Sequence, residues 1–329
     1  MSSIPAAAGV ETAVAGASLR LADAITTTQV TPQRAGDGVS PIAKIVPAAE
    51  VTLDAVQREL DAVRGELEQL RRRDDQLQFY MNRLDEELRL AARLQQDFLP
   101  KSLPKVGGVK FHTLFRPAGH VSGDLYDVMR LDESHVGFYV ADAVGHGMPA
   151  ALLTMFLKQA LVTKEILPGS YRLLDPAQTM FRLNEALVQQ QLSYATFATA
   201  LYGHINIKTL EFTFARGGHP NPVLLTKSGG LRPLDADGSL LGIFPGEEFT
   251  QSRVQLSAGD RVFIYSDGIE LAFSSGDRID TSRWRDELLS RRDQSTEQIL
   301  RDFADHIDRA EQHSLQKKDD LTVIVLEVG

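Results

Sequence analysis

The apolar positions in the first third of the chain change pattern at one point. Residues 1–48 are rich in Ala, Gly, Thr, Val and Pro and show neither helical nor strand periodicity, which predicts a disordered tail. From Leu53 to Ala91, apolar residues recur at alternating steps of three and four. Roughly six such heptads, separated by charged residues, predict a coiled coil and linker helix over residues 49–97, and a parallel homodimer through residues 53–91.

The heptad seam has one interruption and a sharp end. Asp74 occupies a seam position, where it either fixes the register, marks a weak point at which the helix rearranges, or is a tolerated local defect. The seam continues through Gln95 and Phe98 to Pro100, where proline ends the helix. Two roles stay open for this arm. It is either a passive dimerisation stalk or a device whose last segment, residues 85–100, transmits the state of the coil to the following domain.

Beyond Pro104 the pattern changes to short strand-like runs with helical periodicity between them. The predicted strands cover residues 109–116, 125–131, 136–141, 197–206, 210–215, 222–226, 261–266 and 321–328. The predicted helices cover residues 148–166, 175–191, 282–291 and 295–313. Because this order is neither a strict βαβ alternation nor all-β, we expect an α+β fold with antiparallel sheets over residues 98–329.

Composition narrows the chemistry that this fold can carry. The 329 residues are 43% hydrophobic, enough for a sizeable core, and include no cysteine, which excludes disulfides, thiolate metal sites and cysteine nucleophiles. A net charge of −9 without a basic stripe argues against nucleic-acid binding. No apolar run reaches the roughly 18 residues of a membrane span, and no signal-peptide pattern opens the chain, so a cytoplasmic protein is predicted.

Four aspartates stand where predicted strands end or turn: Asp124, Asp142, Asp267 and Asp319. Glycine lies close to three of them, and it lets the backbone turn sharply and approach a bound ion. Taken singly, each aspartate is better explained as a turn or cap residue. Converging carboxylates, however, repel one another unless cations neutralise them. Oxygen-only ligands select hard ions such as Mg²⁺ or Mn²⁺, and two such ions can bridge a water and lower its pKa.

Eight segments carry a family resemblance in their order and spacing over about 230 residues. They are Leu-Gln-Gln-Asp-Phe-Leu-Pro at 94–100, Val-Ser-Gly-Asp-Leu-Tyr-Asp at 121–127, Ala-Asp-Ala-Val-Gly-His-Gly-Met-Pro-Ala-Ala at 141–151, Phe-Ala-Thr-Ala-Leu-Tyr-Gly at 197–203, Ala-Arg-Gly-Gly-His-Pro-Asn-Pro at 215–222, Leu-Leu-Gly-Ile-Phe at 240–244, Ser-Asp-Gly-Ile-Glu at 266–270 and Lys-Asp-Asp-Leu-Thr at 318–322. Together they resemble the metal-dependent type 2C (PPM) protein phosphatases, specifically the SpoIIE-like bacterial branch.

This resemblance implies a fold, a reaction and a set of ligands. The fold is an αββα sandwich of two antiparallel sheets flanked by helices, preceded here by the long coiled-coil helix. The reaction is hydrolysis of phosphoserine or phosphothreonine on a protein such as an anti-sigma-factor antagonist, in partner-switching signalling. The resemblance implies that Asp124 and Asp142 carry the catalysis and hold two divalent ions, Mn²⁺ or Mg²⁺, with Asp142 bridging. The Ala143 carbonyl, Asp267 and Asp319 complete the set.

Three positions leave alternatives within this ligand set. Asp320 adjoins Asp319 and is the competing candidate for the last ligand. The family usually has glycine where this chain has Ala143, and alanine is tolerable there if its φ is negative. His146 is either a proton donor or a residue that packs at a helix start. Leaving-group protonation therefore stays unassigned, and no counterpart is evident for the phosphate-gripping arginine of the eukaryotic relatives.

Other side chains near the motifs have weaker assignments. His219 lies in a turn of glycine and proline, which favours a structural role over metal binding. Asp127 and Glu270 are candidates for orienting metal-bound water. Two rival functions also remain. One is a coiled-coil adaptor that binds a phosphoprotein without turnover, and the other is a metal hydrolase for small phosphoesters. The chain lacks a glycine-rich phosphate loop, which argues against nucleotide-triphosphate chemistry.

Overall fold

The computed structural model describes residues 46–192, 196–274, 280, 282–313 and 319–329, and the side chains of 46–52 and 310–313 are left aside. The predicted disordered tail therefore lies outside the described residues, apart from 46–48, which begin a helix. The chain divides into two compact units, one ending at Asp75 and the other beginning at Gln76. In the described part of the chain, no helix combines the length and apolar character needed to cross a membrane.

The first unit is described as part of one long helix, α1 (Val46–Phe98). The side chains at its predicted seam positions are exposed along this unit: Leu53, Val56, Leu60, Val63, Leu67 and Leu70. An apolar stripe of this length has no partner within the described single chain. The heptad pattern thus correctly predicted a long helix, while the second helix of the coiled coil stays a prediction.

The second unit contains twelve described strands and five described helices after α1. The strands are β1 (Val109–Arg116), β2 (Asp124–Arg130), β3 (His135–Ala143), β4 (Lys164–Leu167), β5 (Ser170–Leu173), β6 (Ala198–Asn206), β7 (Glu211–Gly217), β8 (Val223–Leu225), β9 (Leu231–Pro233), β10 (Ser252–Gln255), β11 (Arg261–Tyr265) and β12 (Leu321–Val328). The helices are α2 (Met148–Ala160), α3 (Pro176–Val188), α4 (Gly268–Phe273), α5 (Arg283–Ser290) and α6 (Thr296–His313).

Ten of these strands form two five-stranded sheets whose strands pair antiparallel. One sheet has the order β1-β12-β11-β8-β9, and the other has the order β10-β7-β6-β3-β2. Alternating apolar side chains of both sheets form the core between them, including Phe111, Phe138, Phe212, Ile264 and Ile324. Large apolar side chains in this layer exclude water and hold the two sheets face to face.

Helices cover the outer face of each sheet. The helices α4 to α6 bury Phe273, Trp284 and Phe303 against the β1-β12-β11-β8-β9 sheet. The helices α2 and α3 bury Leu157 and Met180 against the other sheet, in a third apolar cluster. The result is a helix-sheet-sheet-helix arrangement, which confirms the predicted αββα sandwich.

Most predicted strands occur at the expected places, and the differences are local. The helix predicted over 148–166 is wrong in its last turns, because α2 ends at Ala160 and the hairpin of β4 and β5 follows. This hairpin turns at Pro168 and Gly169, and Gly169 has a φ of 75°, which glycine adopts without strain. The strands β4, β5, β9 and β10 were missed, since each has only three or four residues, whereas the equally short β8 was predicted from its apolar run Val-Leu-Leu.

Candidate metal centre

Asp124 and Asp142 are direct neighbours across two paired strands. Asp124 is the first residue of β2, and the antiparallel register places it opposite Asp142, near the end of β3. Directly opposed residues share a face of the sheet, with Cβ atoms about 4.5–5.5 Å apart. Two of the four predicted aspartates are thereby brought together by strand pairing alone.

Asp124 is buried between the two sheets, with 1% of its surface exposed. Its Oδ2 accepts hydrogen bonds from the Ser266 Oγ at 2.6 Å and from the Thr322 Oγ1 at 2.6 Å. Its Oδ1 is also buried and has no hydrogen-bond partner. One oxygen of this carboxylate is thus fixed by the protein, while the other is left for a further ligand.

Ser266 and Thr322 are site residues that the sequence analysis missed. Ser266 follows β11 and Thr322 lies in β12, so both belong to the sheet opposite β2. The Ser266 Oγ also accepts a hydrogen bond from the Thr322 backbone N–H at 2.9 Å. A signal was present, since each hydroxyl stands within three residues of a predicted aspartate ligand in the motifs Ser-Asp-Gly and Asp-Asp-Leu-Thr.

Asp267 and Asp319 flank the same end of the sandwich. Asp267 lies just after β11, and Asp319 lies just before β12. The pKa of Asp267 is raised above its usual value, first by desolvation and then by the negative charge of Asp319. The two carboxylates therefore lie within electrostatic range of each other.

The pKa values of Asp124 and Asp142 are both raised by burial and by neighbouring negative charges. The pKa of Asp142 is raised to about 9, first by desolvation and then by the charges of Asp124, Asp267, Asp319 and Asp320. Desolvation raises the pKa of Asp124 to about 7, against the lowering effect of its two hydroxyl donors. Nearby cations would lower these two pKa values and favour the ionised carboxylates.

The adjacent pair Asp319 and Asp320 divides into two different roles. Asp320 is buried, and its Oδ1 and Oδ2 accept hydrogen bonds from the backbone N–H groups of Ala118 at 2.7 Å and Gly123 at 2.6 Å. Asp319 is exposed, and its Oδ1 accepts a hydrogen bond from the Asp320 backbone N–H at 3.0 Å. Because both oxygens of Asp320 are engaged by the loop before β2, the geometry supports Asp319 as the ligand candidate.

Gly268 allows the β11 and β12 segments to approach closely at this site. A Cβ atom at this position would lie only 2.0 Å from the backbone carbonyl oxygen of Asp320. Any side chain would therefore push Asp267 away from the segment that carries Asp319. The glycine of the Ser-Asp-Gly motif thus has a packing role as well as a turn role.

The backbone at Ala143 is compatible with its predicted role as a carbonyl ligand. Among the described non-glycine residues, positive φ occurs at Gln191 and Leu210 only. Ala143 therefore has the negative φ that an alanine needs at this position. Its N–H donates to the Gly123 carbonyl at 3.0 Å. The carbonyl oxygen of Ala143 lies close to Gly123, the residue before Asp124. A Cβ atom added to Gly123 would be 3.3 Å from this oxygen.

The donor set fits hard divalent cations. The candidate ligands are all oxygen atoms, and the buried Oδ1 of Asp124 lacks the partner that a buried carboxylate oxygen requires. Across the described ranges, no three His, Asp or Glu side chains converge in a ready-made metal cluster.

The two histidines near the site differ in their surroundings. His146 is exposed in the turn between β3 and α2. His219 is fully buried, and its Nδ1 shares a hydrogen bond of 2.8 Å with the Thr199 Oγ1. Burial lowers the pKa of His219 to about 3, so its ring is neutral at physiological pH. These contacts support the structural interpretation of His219.

Asp127 and Glu270 were both predicted to orient water, and the structure separates them. Asp127 lies three residues after Asp124, hence on the opposite face of β2, and its Oδ2 pairs with the Lys158 Nζ of α2 at 2.7 Å. This position and this ion pair with α2 argue against a role of Asp127 in orienting metal-bound water. Glu270 lines a cleft together with Asp142 and Asp267, so it remains a candidate.

The end of α1 is attached directly to the loop before Asp124. Gln95 is buried, its Nε2 donates to the Ser122 carbonyl at 2.7 Å, and its Oε1 accepts from the Ser122 N–H at 2.8 Å. The sequence pattern marked Gln95 only as a seam position. The side-chain amide of Gln95 both donates to and accepts from the backbone of Ser122, two residues before Asp124.

The chain is similar to known phosphatases across this region. The family model described as Stage II sporulation protein E (SpoIIE) matches residues 132–329. Phosphoserine phosphatase RsbU of Bacillus subtilis (strain 168) is 28% identical over 247 residues, which cover 74% of this chain and 70% of RsbU. Phosphoserine phosphatase RsbP of the same organism is 29% identical over 195 residues, which cover 58% of this chain and 47% of RsbP.

Solved structures agree on the fold. The SiaA-PP2C domain of Pseudomonas aeruginosa matches with a TM-score of 0.64 at 22% identity, covering 76% of this chain and 98% of that domain. The PP2C phosphatase domain and regulatory-domain fragment of SpoIIE from Bacillus subtilis match with a TM-score of 0.53 at 19% identity, covering 67% of this chain and 63% of that one. The predictions of fold and of a protein phosphatase are confirmed. This chain belongs to the Stage II sporulation protein E (SpoIIE) family.

Proposed function

We propose that residues 98–329 form a protein phosphatase domain that hydrolyses phosphoserine, or phosphothreonine, on a protein such as an anti-sigma-factor antagonist in partner-switching signalling. The observation that carries the proposal is that Asp124 and Asp142 lie opposite each other across β2 and β3, with Asp267 and Asp319 near enough for their charges to raise the pKa of Asp142. The similarity to RsbU and RsbP, both phosphoserine phosphatases, supports the substrate class. The absence of cysteine fits a reducing compartment, and the proposed setting is the cytoplasm.

Two divalent ions, Mn²⁺ or Mg²⁺, are the cofactors of this proposal. Asp124, Asp142, Asp267, Asp319 and the Ala143 carbonyl would hold them, with Asp142 between the two. When bound, such a pair supplies a nucleophile at neutral pH and charge compensation for the phosphoryl oxygens.

The chain itself contributes rigidity and position to this reaction. The hydroxyl groups of Ser266 and Thr322 hold Asp124 Oδ2, so its Oδ1 has a fixed direction. Asp320 fixes the loop through the Ala118 and Gly123 N–H groups. Preorganised carboxylates of this kind need little rearrangement when cations and substrate arrive.

One experiment separates this proposal from its rivals. The purified full chain with Mn²⁺ is given a phosphoserine peptide, a phosphorylated antagonist protein and p-nitrophenyl phosphate, and free phosphate is measured. A protein phosphatase releases phosphate from the phosphoprotein with the highest kcat/KM. An adaptor binds the phosphoprotein and releases nothing, whereas a small-phosphoester hydrolase prefers p-nitrophenyl phosphate.

Residues 49–97 are proposed as the dimerisation and linker helix. Exposed leucines and valines at the seam of α1 favour a parallel homodimer, because a second copy would bury them. We expect the double variant Leu60→Asp/Leu67→Asp to convert a dimer into a monomer, measured by light scattering at micromolar concentration. The matched control, Ala62→Asp/Gln69→Asp, adds the same charge outside the seam and should stay dimeric. A monomeric wild-type chain would contradict the proposal.

The last turns of α1 are proposed to do more than connect. Within the second unit, the Asp85 Oδ1 lies 2.9 Å from the His120 Nε2, Gln95 is bonded to Ser122, and the Lys158 Nζ donates to the Phe98 carbonyl. These contacts reach the loop before Asp124 and the helix α2. They support a role of residues 85–100 in transmitting the state of the coil to the metal centre, against a passive stalk.

A further inference from the structure

The cleft beside the acidic cluster is lined by carboxylates and by arginines together. Its volume is about 320 Å³, and its lining includes Asp142, Asp267 and Glu270 as well as Arg216 and Arg285. Once divalent cations compensate the carboxylates, the arginines leave this cleft with positive charge. A positively charged cleft of this size suits a small anion.

The Arg216 side chain forms hydrogen bonds with the protein backbone. Its Nε donates to the Ala236 carbonyl and its Nη1 donates to the His219 carbonyl at 2.7 Å. These bonds hold the turn after β7 in place. The side chain therefore has a structural task at the edge of the cleft.

Arg285 is positioned by its aromatic neighbours and keeps one buried hydrogen-bond donor unpaired. Its Nη2 donates to the Tyr265 Oη at 3.0 Å, and its guanidinium carbon lies 5.8 Å from the centre of the Trp284 ring. Its Nε is buried without a hydrogen-bond partner. Glu270 lines the same cleft and is near enough for the Arg285 charge to lower its pKa, against the larger raising effect of desolvation. Among the residues that the structure describes, however, no Asp or Glu oxygen forms an ion pair with this side chain within 4.0 Å. A buried N–H of a guanidinium group without an acceptor is costly unless a ligand accepts its hydrogen bond.

We propose that Arg285 binds the phosphoryl group of the substrate, so that the phosphate is held between the metal centre and this guanidinium. The inference rests on the proposed phosphatase function. Guanidinium groups suit phosphate because their N–H donors form a rigid fork that pairs with two oxygens. Tyr265, at the end of β11, and Trp284, next to Arg285 in α5, direct this fork.

The test compares four variants for phosphate binding and for turnover. Arg285→Ala removes the cation, Arg285→Lys keeps the charge without the fork, and Tyr265→Phe removes the hydroxyl that positions it. Arg283→Ala is the matched control, since this exposed arginine stands two residues earlier in α5 and does not line the cleft. Binding of inorganic phosphate is read from the rise in melting temperature of the Mg²⁺-loaded protein. Turnover of p-nitrophenyl phosphate with Mn²⁺ gives KM and the inhibition constant of inorganic phosphate.

Arg285→Ala is expected to abolish the phosphate-dependent rise in melting temperature and to raise both KM and the phosphate inhibition constant about tenfold or more. Arg285→Lys and Tyr265→Phe should change the same quantities less, and Arg283→Ala should leave them unchanged. The two conservative variants decide the matter if Arg285→Ala fails to fold.

The outcomes distinguish this inference from the proposed function. A wild-type chain that hydrolyses phosphoserine, with Arg285 variants of unchanged phosphate inhibition, overturns the inference alone. A wild-type chain that binds phosphate through Arg285 but hydrolyses nothing supports the inference and overturns the proposed function. An effect on a phosphopeptide without any effect on inorganic phosphate also overturns the inference, because Arg285 would then contact the flanking peptide.

Discussion

Asp142→Asn is expected to lower the rate of phosphate release at least about 100-fold, since even residues that only orient metal ligands commonly cost 10- to 100-fold. Asp142 stands opposite Asp124 in the β2–β3 register, and its pKa is raised to about 9 by desolvation and by the surrounding carboxylates. Bound cations would stabilise its negative charge at neutral pH. Asparagine fills the same space without that charge, so the fold is retained while the cations lose their shared ligand.

The measurement is phosphate release from a phosphoserine peptide over a Mn²⁺ titration, with the melting temperature as a check on folding. Asp293→Asn is the matched control, because the Asp293 side chain is 93% exposed and the substitution removes the same charge elsewhere. Wild-type kcat in Asp142→Asn at saturating Mn²⁺ would refute the proposed metal centre.

Asp319→Ala and Asp320→Ala are expected to have opposite effects on metal binding and stability. Asp320 accepts two hydrogen bonds from backbone N–H groups, of Ala118 and Gly123. Removing its carboxylate leaves these donors unpaired, one of them buried, so the free energy of unfolding should fall by about 3 kcal/mol or more. Asp319 is exposed, so Asp319→Ala should cost less than about 1 kcal/mol. It should nevertheless weaken Mn²⁺ binding roughly tenfold or more.

Two measurements on the same proteins make the comparison. Urea unfolding in EDTA gives the stability without metal, and calorimetric titration with Mn²⁺ gives the affinity. The opposite result would contradict the prediction. Asp319 would then be the residue needed for stability, and Asp320 would be the metal ligand.

The sequence predicted the elements that carry their own periodicity. The helix α1 and the long strands β1, β3, β6 and β12 follow from apolar spacing, and the αββα arrangement follows from motif resemblance. In the hairpin of β4 and β5, residues 164–166 were mistaken for the end of a helix, and β5 was not predicted. The short apolar runs of this hairpin fit either period, and only the Pro168-Gly169 pair indicates the turn.

The sequence predicted the aspartates of the candidate site but not the residues that form hydrogen bonds with them. Asp124 and Asp142 were named from motifs, but their hydrogen-bond partners depend on the packing of one sheet on the other. Ser266 and Thr322 reach Asp124 from the opposite sheet, and Gln95 reaches Ser122 from α1. Such contacts join residues far apart in the chain, so the motifs can draw attention to the two hydroxyl residues but do not show that both bind Asp124. Asp127 shows the converse, since strand alternation alone turns it away from the metal centre.

We propose that cations held by Asp124, Asp142, Asp267 and Asp319 give this chain its protein phosphatase activity. The most direct measurement is phosphate release from a phosphoserine-bearing antagonist protein by the full chain, first in EDTA and then after Mn²⁺ or Mg²⁺ is restored. The account predicts no release in EDTA and saturable recovery with the added cation. Release that continues unchanged in EDTA, or no release at any cation concentration, would contradict it.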